Sequence, residues 1–407
     1  MIYFIALLLI LIGIYRYDYC KVRHGRLLLW VILCILLICI AGFRYRLGGD
    51  TLQYESFFRK VPALADLRLH YFQDIRYAPG FVILGSLSKT IYNDVMVLQF
   101  AEALIVDTVV FYFFWKNTRH IYFAALLFYI LMYLNLNMEI MREAISVSFF
   151  LLAWPFILRG QWLKYYIMVG CAMLFHVSAF ALLVLPLIFL PGLRYFFTFD
   201  TRTWIFGAIC LLLGFTASYF FFNFIKAIAV TETMVDRANI YSDSDFGGLR
   251  TLNIVGLFSR LVRYVFYPAL AIYFINKAKG KSLFSDDKLQ KIEILSVASI
   301  YVSLLSSGIF IFQRYNNYLL FFPLIMMSDC VFTVLNVGYR KVRLGFLSWM
   351  LVFLPMFALS FYTFYFNPVN KEGTLMTYMR YYPYKDGFNK EMDPEREKMY
   401  YYFRKKR

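Results

Sequence analysis

Charge is scarce in this chain. Asp, Glu, Lys and Arg make up 16% of its 407 residues, against about 25% in a soluble globular protein. Histidine occurs four times and cysteine six times. Cys34, Cys39, Cys171, Cys210 and Cys330 lie in apolar runs and Cys20 in a short basic loop, with no C-x-x-C spacing. That excludes a disulfide framework and a zinc site, and leaves the thiols as small buried hydrophobes. There is no phosphate-binding P-loop, no G-x-G-x-x-G, no H-E-x-x-H and no G-x-S-x-G. A net charge of +17 would suggest nucleic acid in a soluble protein, but no nucleic-acid motif accompanies it. Short basic loops that orient helices and meet anionic lipid explain it better. The first apolar run has no basic residue before it and no small-residue cleavage pattern after it, so it reads as a retained helix rather than a signal peptide. No internal repeat and no second soluble domain is visible.

What is abundant is apolar surface. The chain is 61% hydrophobic and 21% aromatic, concentrated in runs such as "IYFIALLLILIGIY" and "LLLWVILCILLICIAGF". A transmembrane helix needs about 20 mostly apolar residues to cross about 30 Å of hydrocarbon. Candidate spans are 2–15, 27–43, 95–115, 121–137, 144–158, 165–190, 203–222, 252–275, 292–312, 319–337 and 344–364, with 77–92 ambiguous. The expected fold is all-α and polytopic, with about 11–12 transmembrane helices and outer-face loops forming the site. Residues 1–365 form one helical domain with outer loops 44–77 and 223–251; residues 366–407 form a polar tail.

Basic residues orient the spans. The loop from Arg16 to Arg26 carries four Lys or Arg and one Asp and belongs in the cytoplasm. This sends "FRYRLGGDTLQYESFF" to the outer side. "NKAKGKSLFSDDKLQK" and "GYRKVR" read as cytoplasmic, and "TETMVDRANIYSDSDFGGLR" and "QRYNNY" as outer. Two arrangements of the middle remain. If 77–92 is re-entrant or lies along the surface, "KNTRH" and "LRGQWLK" fall inside, and 165–190 must break near His176. If 77–92 spans, 165–190 is one tilted helix and two basic loops sit outside. The first suits the charges, and broken helices occur where they line a cavity. No Pro or Gly adjoins His176 to make such a break. The tail, with ten basic and six acidic residues, falls outside by parity.

Several constellations could carry chemistry. Asp50 follows Gly48-Gly49, and Tyr54 shares its face if a helix begins there. Asp50 could act on a substrate hydroxyl, or simply cap an interfacial helix while the neighbouring arginines snorkel to headgroups. In "NMEIMREAISVS", Glu139 and Arg142 are spaced to pair, whereas Arg142 could instead hold phosphate in its planar fork. His176 in "MLFHVSAF" is a buried structural donor or a base. Arg314 and Tyr318 in "FIFQRYNNYLLFFP" sit at i, i+4 where a span ends. They form an aromatic belt with a snorkelling Arg or a phosphate and sugar contact. Asp243-Ser-Asp245 matches the short D-x-D pattern of cation-dependent sugar transferases. The match is only three residues long, and no metal is assigned to it.

Taken together, these stretches resemble the EpsG family of polytopic membrane proteins, akin to the Wzy polymerases of bacterial surface polysaccharides. The resemblance rests on Arg44, Gly49, Asp50 and Tyr54 in R-x-x-x-x-G-D-x-x-x-Y, on the Arg of "MREAISVSFF", on "LFHVSA", on the Arg-x-x-x-Tyr of "QRYNNYLLFFP", and on "YYPYKDGF". Their order holds from Arg44 to Tyr384. Glu143 departs from the pattern, where Gln is expected, as does "RYAPGF", where an acidic residue is expected after Pro. The resemblance implies glycosyl transfer at the outer face of the bacterial cytoplasmic membrane. Repeat units on undecaprenyl pyrophosphate would be polymerised into a capsular or exopolysaccharide, without cofactor. It implies Asp50 and His176 as catalytic residues, and Arg44, Tyr54, Arg142, Glu143, Arg314 and Tyr318 as substrate contacts. A chain-length regulator and a flippase are the implied protein partners. The other readings are a transporter or flippase for the same lipid-linked sugar, for which Arg260 and Arg263 could line a path, and a sugar acyltransferase.

Overall fold

The computed structural model describes residues 2–72, 77–216, 254–277, 286–309, 311–338, 345–368 and 373–405. The Asp243-Ser-Asp245 loop, half of "NKAKGKSLFSDDKLQK" and nearly all of "GYRKVR" lie outside the described residues. The described residues contain no β-strand, and helices dominate. This is the all-α, multi-pass architecture that the apolar runs require, since lipid offers no partner to an unpaired backbone group. Among the described residues five helices are long and apolar enough to cross a membrane, or six if the bent pair Val177–Phe189 and Pro191–Phe197 is one span, and four shorter apolar helices accompany them. The chain divides into two compact units, residues 1–183 with 360–407, and residues 184–359.

The first unit is built from α1 (Ile2–Gly13), α2 (Arg26–Gly42), α3 (Thr51–Lys60), α4 (Pro79–Ile91), α5 (Val95–Asn117), α6 (Ile121–Met138), α7 (Met141–Leu158) and α8 (Trp162–Met173). Small residues let the backbones approach: Gly13 lies against the Tyr122 ring and Gly42 against Phe100. Buried polar side chains tie helices together where lipid could not satisfy them. Trp154 Nε1 donates to Asn117 Oδ1 at 2.9 Å, and the Tyr133 hydroxyl to the Leu37 carbonyl at 2.6 Å. At one end the basic loops meet. Asp18 Oδ2 accepts from the Phe123 N–H at 2.9 Å, and Arg26 Nη2 donates to the Arg119 carbonyl at 2.5 Å.

The opposite end gathers the 43–50 segment, the α6–α7 corner and the tail. Tyr45 N–H donates to the Lys385 carbonyl at 2.8 Å, and Gly387 N–H to the Phe43 carbonyl at 2.8 Å. The Tyr3 hydroxyl reaches the Tyr381 carbonyl at 3.0 Å. Helix α4 has 13 residues and is not among the described helices long and apolar enough to cross. It starts with Gly80 N–H on the Leu174 carbonyl at 2.7 Å and ends with Lys89 Nζ on the carbonyls of Phe58, Arg59 and Val61 at 2.8–3.1 Å. The 165–190 stretch breaks as the first arrangement demands. Helix α8 stops at Met173, and a 3-10 helix, Val177–Phe189, folds back along it. The Tyr165 hydroxyl donates to the Leu182 carbonyl at 2.7 Å across this hairpin. The break needs no Pro or Gly. His176 Nδ1 accepts the Ser178 N–H at 3.2 Å, a side-chain bond that competes with continuing the helix.

The second unit holds the rest of that 3-10 helix, α9 (Thr201–Thr216), α10 (Ile254–Lys277), α11 (Asp286–Leu305), α12 (Phe312–Leu319), α13 (Phe321–Gly338) and α14 (Gly345–Tyr365) through Leu359. A Cβ on Gly308 would collide with the Gly214 carbonyl, so α9 packs on the end of α11 backbone to backbone. The tail closes in the first unit with α15 (Pro394–Lys405).

Two stability effects are expected. Gly308→Val overfills the Gly214 contact and should cost about 1–3 kcal/mol, read as a lower thermal midpoint in detergent. Gly170→Ala, where a Cβ meets nothing within 4 Å, should not lower it. His120, between α5 and α6, is buried. Burial first, then Arg26, Lys21 and Arg119, push its imidazole down to about 3. The unfolded chain takes up this proton near its ordinary value of about 6.5. Stability from this site is therefore full above that pH and falls as pH drops from about 6.5 toward 3. His120→Asn should flatten the decline of midpoint between roughly pH 6.5 and pH 4.5.

Candidate functional site

The "LGGD" turn is a docking device. Gly48 has a φ of +94°, and a Cβ there would run into the Met138 carbonyl, so only glycine fits. Gly48 N–H donates to the Arg380 carbonyl at 2.9 Å. Gly49 N–H donates to Glu139 Oε1 at 3.2 Å, and the same oxygen accepts from Arg380 Nη1 at 3.0 Å. Burial alone would lower the Arg380 guanidinium. The charge of Glu139, with Tyr381, the Glu139 hydrogen bond and Asp50, raises it above its ordinary value instead. Glu139 and Arg142 therefore do not pair. Glu139 turns to the tail.

Arg142 is left with aromatic company. Its guanidinium lies 4.7 Å over the centroid of the Tyr77 ring and its charge acts on the Tyr54 phenol, which itself donates to the Glu139 carbonyl at 3.2 Å. Arg142 Nε is buried without a hydrogen-bond partner, and among the described residues no carboxylate forms an ion pair with this side chain. Burial raises the Tyr54 phenol; Arg142 opposes this and Asp50 adds to it, so Tyr54 stays a protonated donor. Asp50 takes the N-cap position of α3 but makes no capping bond. Its Oδ1 accepts from Gln53 Nε2 at 2.9 Å, so helix capping does not account for this carboxylate.

His176 lies at the α8 turn, reached through the loop that carries Tyr77. Three residues after Tyr77, Gly80 packs on the Leu174 carbonyl and the Phe175 ring. His176 Nδ1 is 2.5 Å from Ser178 Oγ and accepts the Ser178 N–H. With Nδ1 accepting, the neutral ring carries its proton on Nε2. Arg44 is buried, donates to the Ala41 carbonyl and feels the charge of Glu102. Glu143 is buried in the first turn of α7. Arg314 and Tyr318 lie on α12 in the second unit, and Tyr318 is buried there rather than on a lipid-facing belt. Around them Asn316 Nδ2 donates to Ser303 Oγ at 2.8 Å, and Arg260 Nη1 to the Ser306 carbonyl at 2.8 Å. Among the described residues no group of three His, Cys, Asp or Glu is gathered to hold a metal.

Four contributors escaped the sequence reading. Arg380 gave no signal, because it sits in a tail full of charges. Tyr77 borders an ambiguous apolar run. Glu102 and Asp107 did give one: they are carboxylates inside the span of α5, where charge is expensive. Both are fully buried. Asn137 Nδ2 donates to Asp107 Oδ1 at 2.7 Å, and neither Glu102 oxygen has a hydrogen-bond partner. They underlie the loop through Arg44.

The tail is clamped over this end. Arg46 binds Glu55 through Nε at 3.0 Å and Nη2 at 3.2 Å, and Glu397 through Nη1 at 3.0 Å. The Tyr400 hydroxyl meets the carbonyls of Arg46 at 2.7 Å and Gly48 at 2.9 Å. Arg396 Nε donates to the Met379 carbonyl at 2.9 Å.

A family model described as EpsG family matches residues 27–385, nearly the whole chain. Neither the curated proteins nor the solved structures contain a significant match.

Arg44 and Glu102 are both buried and interact through charge without a hydrogen bond, so removing either leaves the other less compensated. Glu102→Ala and Arg44→Ala should each lower the thermal midpoint strongly. The double variant should lose less than the sum of the two. Additive losses would show that the two charges do not couple.

Proposed function

The chain belongs to the EpsG family of Wzy-like membrane polysaccharide polymerases, and from that premise we propose that it links oligosaccharide repeat units carried on undecaprenyl pyrophosphate. It does so at the outer face of a bacterial cytoplasmic membrane, as a glycosyltransferase making a capsular or exopolysaccharide. The observation that carries this reading is Arg142: a cation without a carboxylate partner, walled by Tyr54 and Tyr77 and close to Asp50 through Tyr54. Orientation follows from charge. The basic loops 16–26 and 116–120 gather at the opposite end of the first unit, and short basic loops stay in the cytoplasm.

In the proposed reaction the growing chain on its lipid is the donor. The bond from its anomeric carbon to the pyrophosphate oxygen breaks, through an oxocarbenium-like centre. The electron pair leaves with the pyrophosphate, whose charge Arg142 stabilises. A hydroxyl of the incoming unit forms the new glycosidic bond and gives its proton to Asp50. Asp50 is the better base of the two candidates, because a neutral His176 with its Nδ1 engaged presents an Nε2–H donor. His176 then serves the leaving group or the sugar as a donor. Tyr54, kept protonated by burial, orients Arg142. Arg314 and Tyr318 are proposed as substrate contacts on the resemblance of their segment alone. Arg44 and Glu143, both buried, support the loop and helix that present the site. A flippase that delivers the unit and a chain-length regulator are the proposed partners.

The test is reconstitution of purified protein in liposomes with one lipid-linked repeat unit and no nucleotide sugar. A ladder of multiples that disappears in Arg142→Ala and falls at least about 100-fold in Asp50→Asn is expected. A single unchanged band, with the unit now exposed in the other leaflet, would replace polymerisation by transport.

A further inference from the structure

The Glu139 carboxylate sits where an anion would. One oxygen, Oε1, collects both the Gly49 N–H at 3.2 Å and Arg380 Nη1 at 3.0 Å. A glycine N–H and an arginine fork are the donors that proteins use for phosphate oxygens. Gly49 packs directly on both side chains: a Cβ there would be in ordinary contact with Glu139 Oε1 at 3.4 Å, Arg380 Nη1 at 3.6 Å and Glu139 Cδ at 3.7 Å. The Glu139 and Arg380 side chains keep 15% and 24% of their surface exposed, so a solute can reach both. Glu139 lies outside regular helix, in the corner between α6 and α7, and can swing without unwinding either. Its own carbonyl is one bridge, the Tyr54 phenol, away from Arg142.

We propose that Glu139 is a stand-in for the ligand: its carboxylate holds the Gly49 N–H and Arg380 until a pyrophosphate group displaces it, and Arg380 then becomes a second phosphate-binding cation beside Arg142. The inference rests on the polymerase reading for the molecule that carries the pyrophosphate. The recognition chemistry is the same for free inorganic pyrophosphate. Exchanging a singly charged carboxylate for a multiply charged diphosphate strengthens the attraction to both arginines. In the resting state the occupied donors lower the apparent affinity by the fraction of time they are free. A structural clamp between tail and corner would behave oppositely, because weakening it would loosen Arg380.

The experiment is calorimetric titration of inorganic pyrophosphate into full-length protein in neutral-lipid nanodiscs at fixed ionic strength. Glu139→Gln should bind at least about tenfold more tightly than wild type, as expected when a competitor held at 90% occupancy or more is removed. Arg380→Gln should weaken binding, and the double variant should show no gain. Glu139→Asp keeps the charge but shortens the reach, and should tighten binding to a smaller degree if Glu139→Gln fails to fold. Equal or weaker binding in Glu139→Gln, or in Glu139→Asp when that variant is the readout, overturns the proposal. So does a gain that persists without Arg380. No sugar transfer is read, so the outcome is separable from the reconstitution. Tightened pyrophosphate binding without a polymer ladder would sink the polymerase reading and leave this site standing.

Discussion

Two backbone carbonyls at one corner position the far end of the first unit, and a carboxylate beside them makes the contact that a ligand would replace. The Met138 carbonyl leaves room only for a glycine at position 48. The Glu139 carbonyl accepts the Tyr54 phenol, and the Glu139 carboxylate takes both Gly49 and Arg380. The 43–50 loop, helix α3, the start of α7 and the tail therefore take their places from two residues between α6 and α7. Such a corner suits chemistry at a membrane boundary. The helices are rigid because lipid forces their backbone bonds to close internally, and the irregular segments sit where water can reach them.

Beneath the corner the helices carry charge that lipid would reject. Arg44, Glu102 and Asp107 are buried with Asn137. Arg44 couples electrostatically to Glu102, and Asn137 donates to Asp107. A pair like this contributes little net stability, since desolvation offsets attraction. Its worth is in specifying position. The end of α2 has one place where the Arg44 charge is tolerated, and the loop that follows inherits that place.

Much of the fold is legible in the residue order, for a physical reason. Lipid demands long apolar runs, so the runs announce the helices, as with α5 and α7. Charge in or beside such a run is costly, so Asp50 and Arg142 stand out before any coordinates are seen. The reversal at His176 is less legible. No Pro or Gly announces it, and only the pattern of basic loops requires it; the agent is a histidine side chain bonding its own backbone. Arg380 is illegible altogether. Its partner Glu139 is 241 residues away, and nothing local to the tail distinguishes this arginine from its neighbours. Glu102 and Asp107 could have been found, since two carboxylates in one span are rare without purpose.

The clamp between tail and outer loop also orders events during synthesis. Gly48 leaves the ribosome early, while Tyr400, which bonds its carbonyl, follows 352 residues later. Helices α1 to α8 have all been made before Arg380, Arg396 and Tyr400 exist. A nascent chain thus passes through a stage in which its membrane helices are complete but its loop end is open. The loop end closes only once these residues have been made, and a chain that stops before Arg380 has its α1–α8 helices but no clamp.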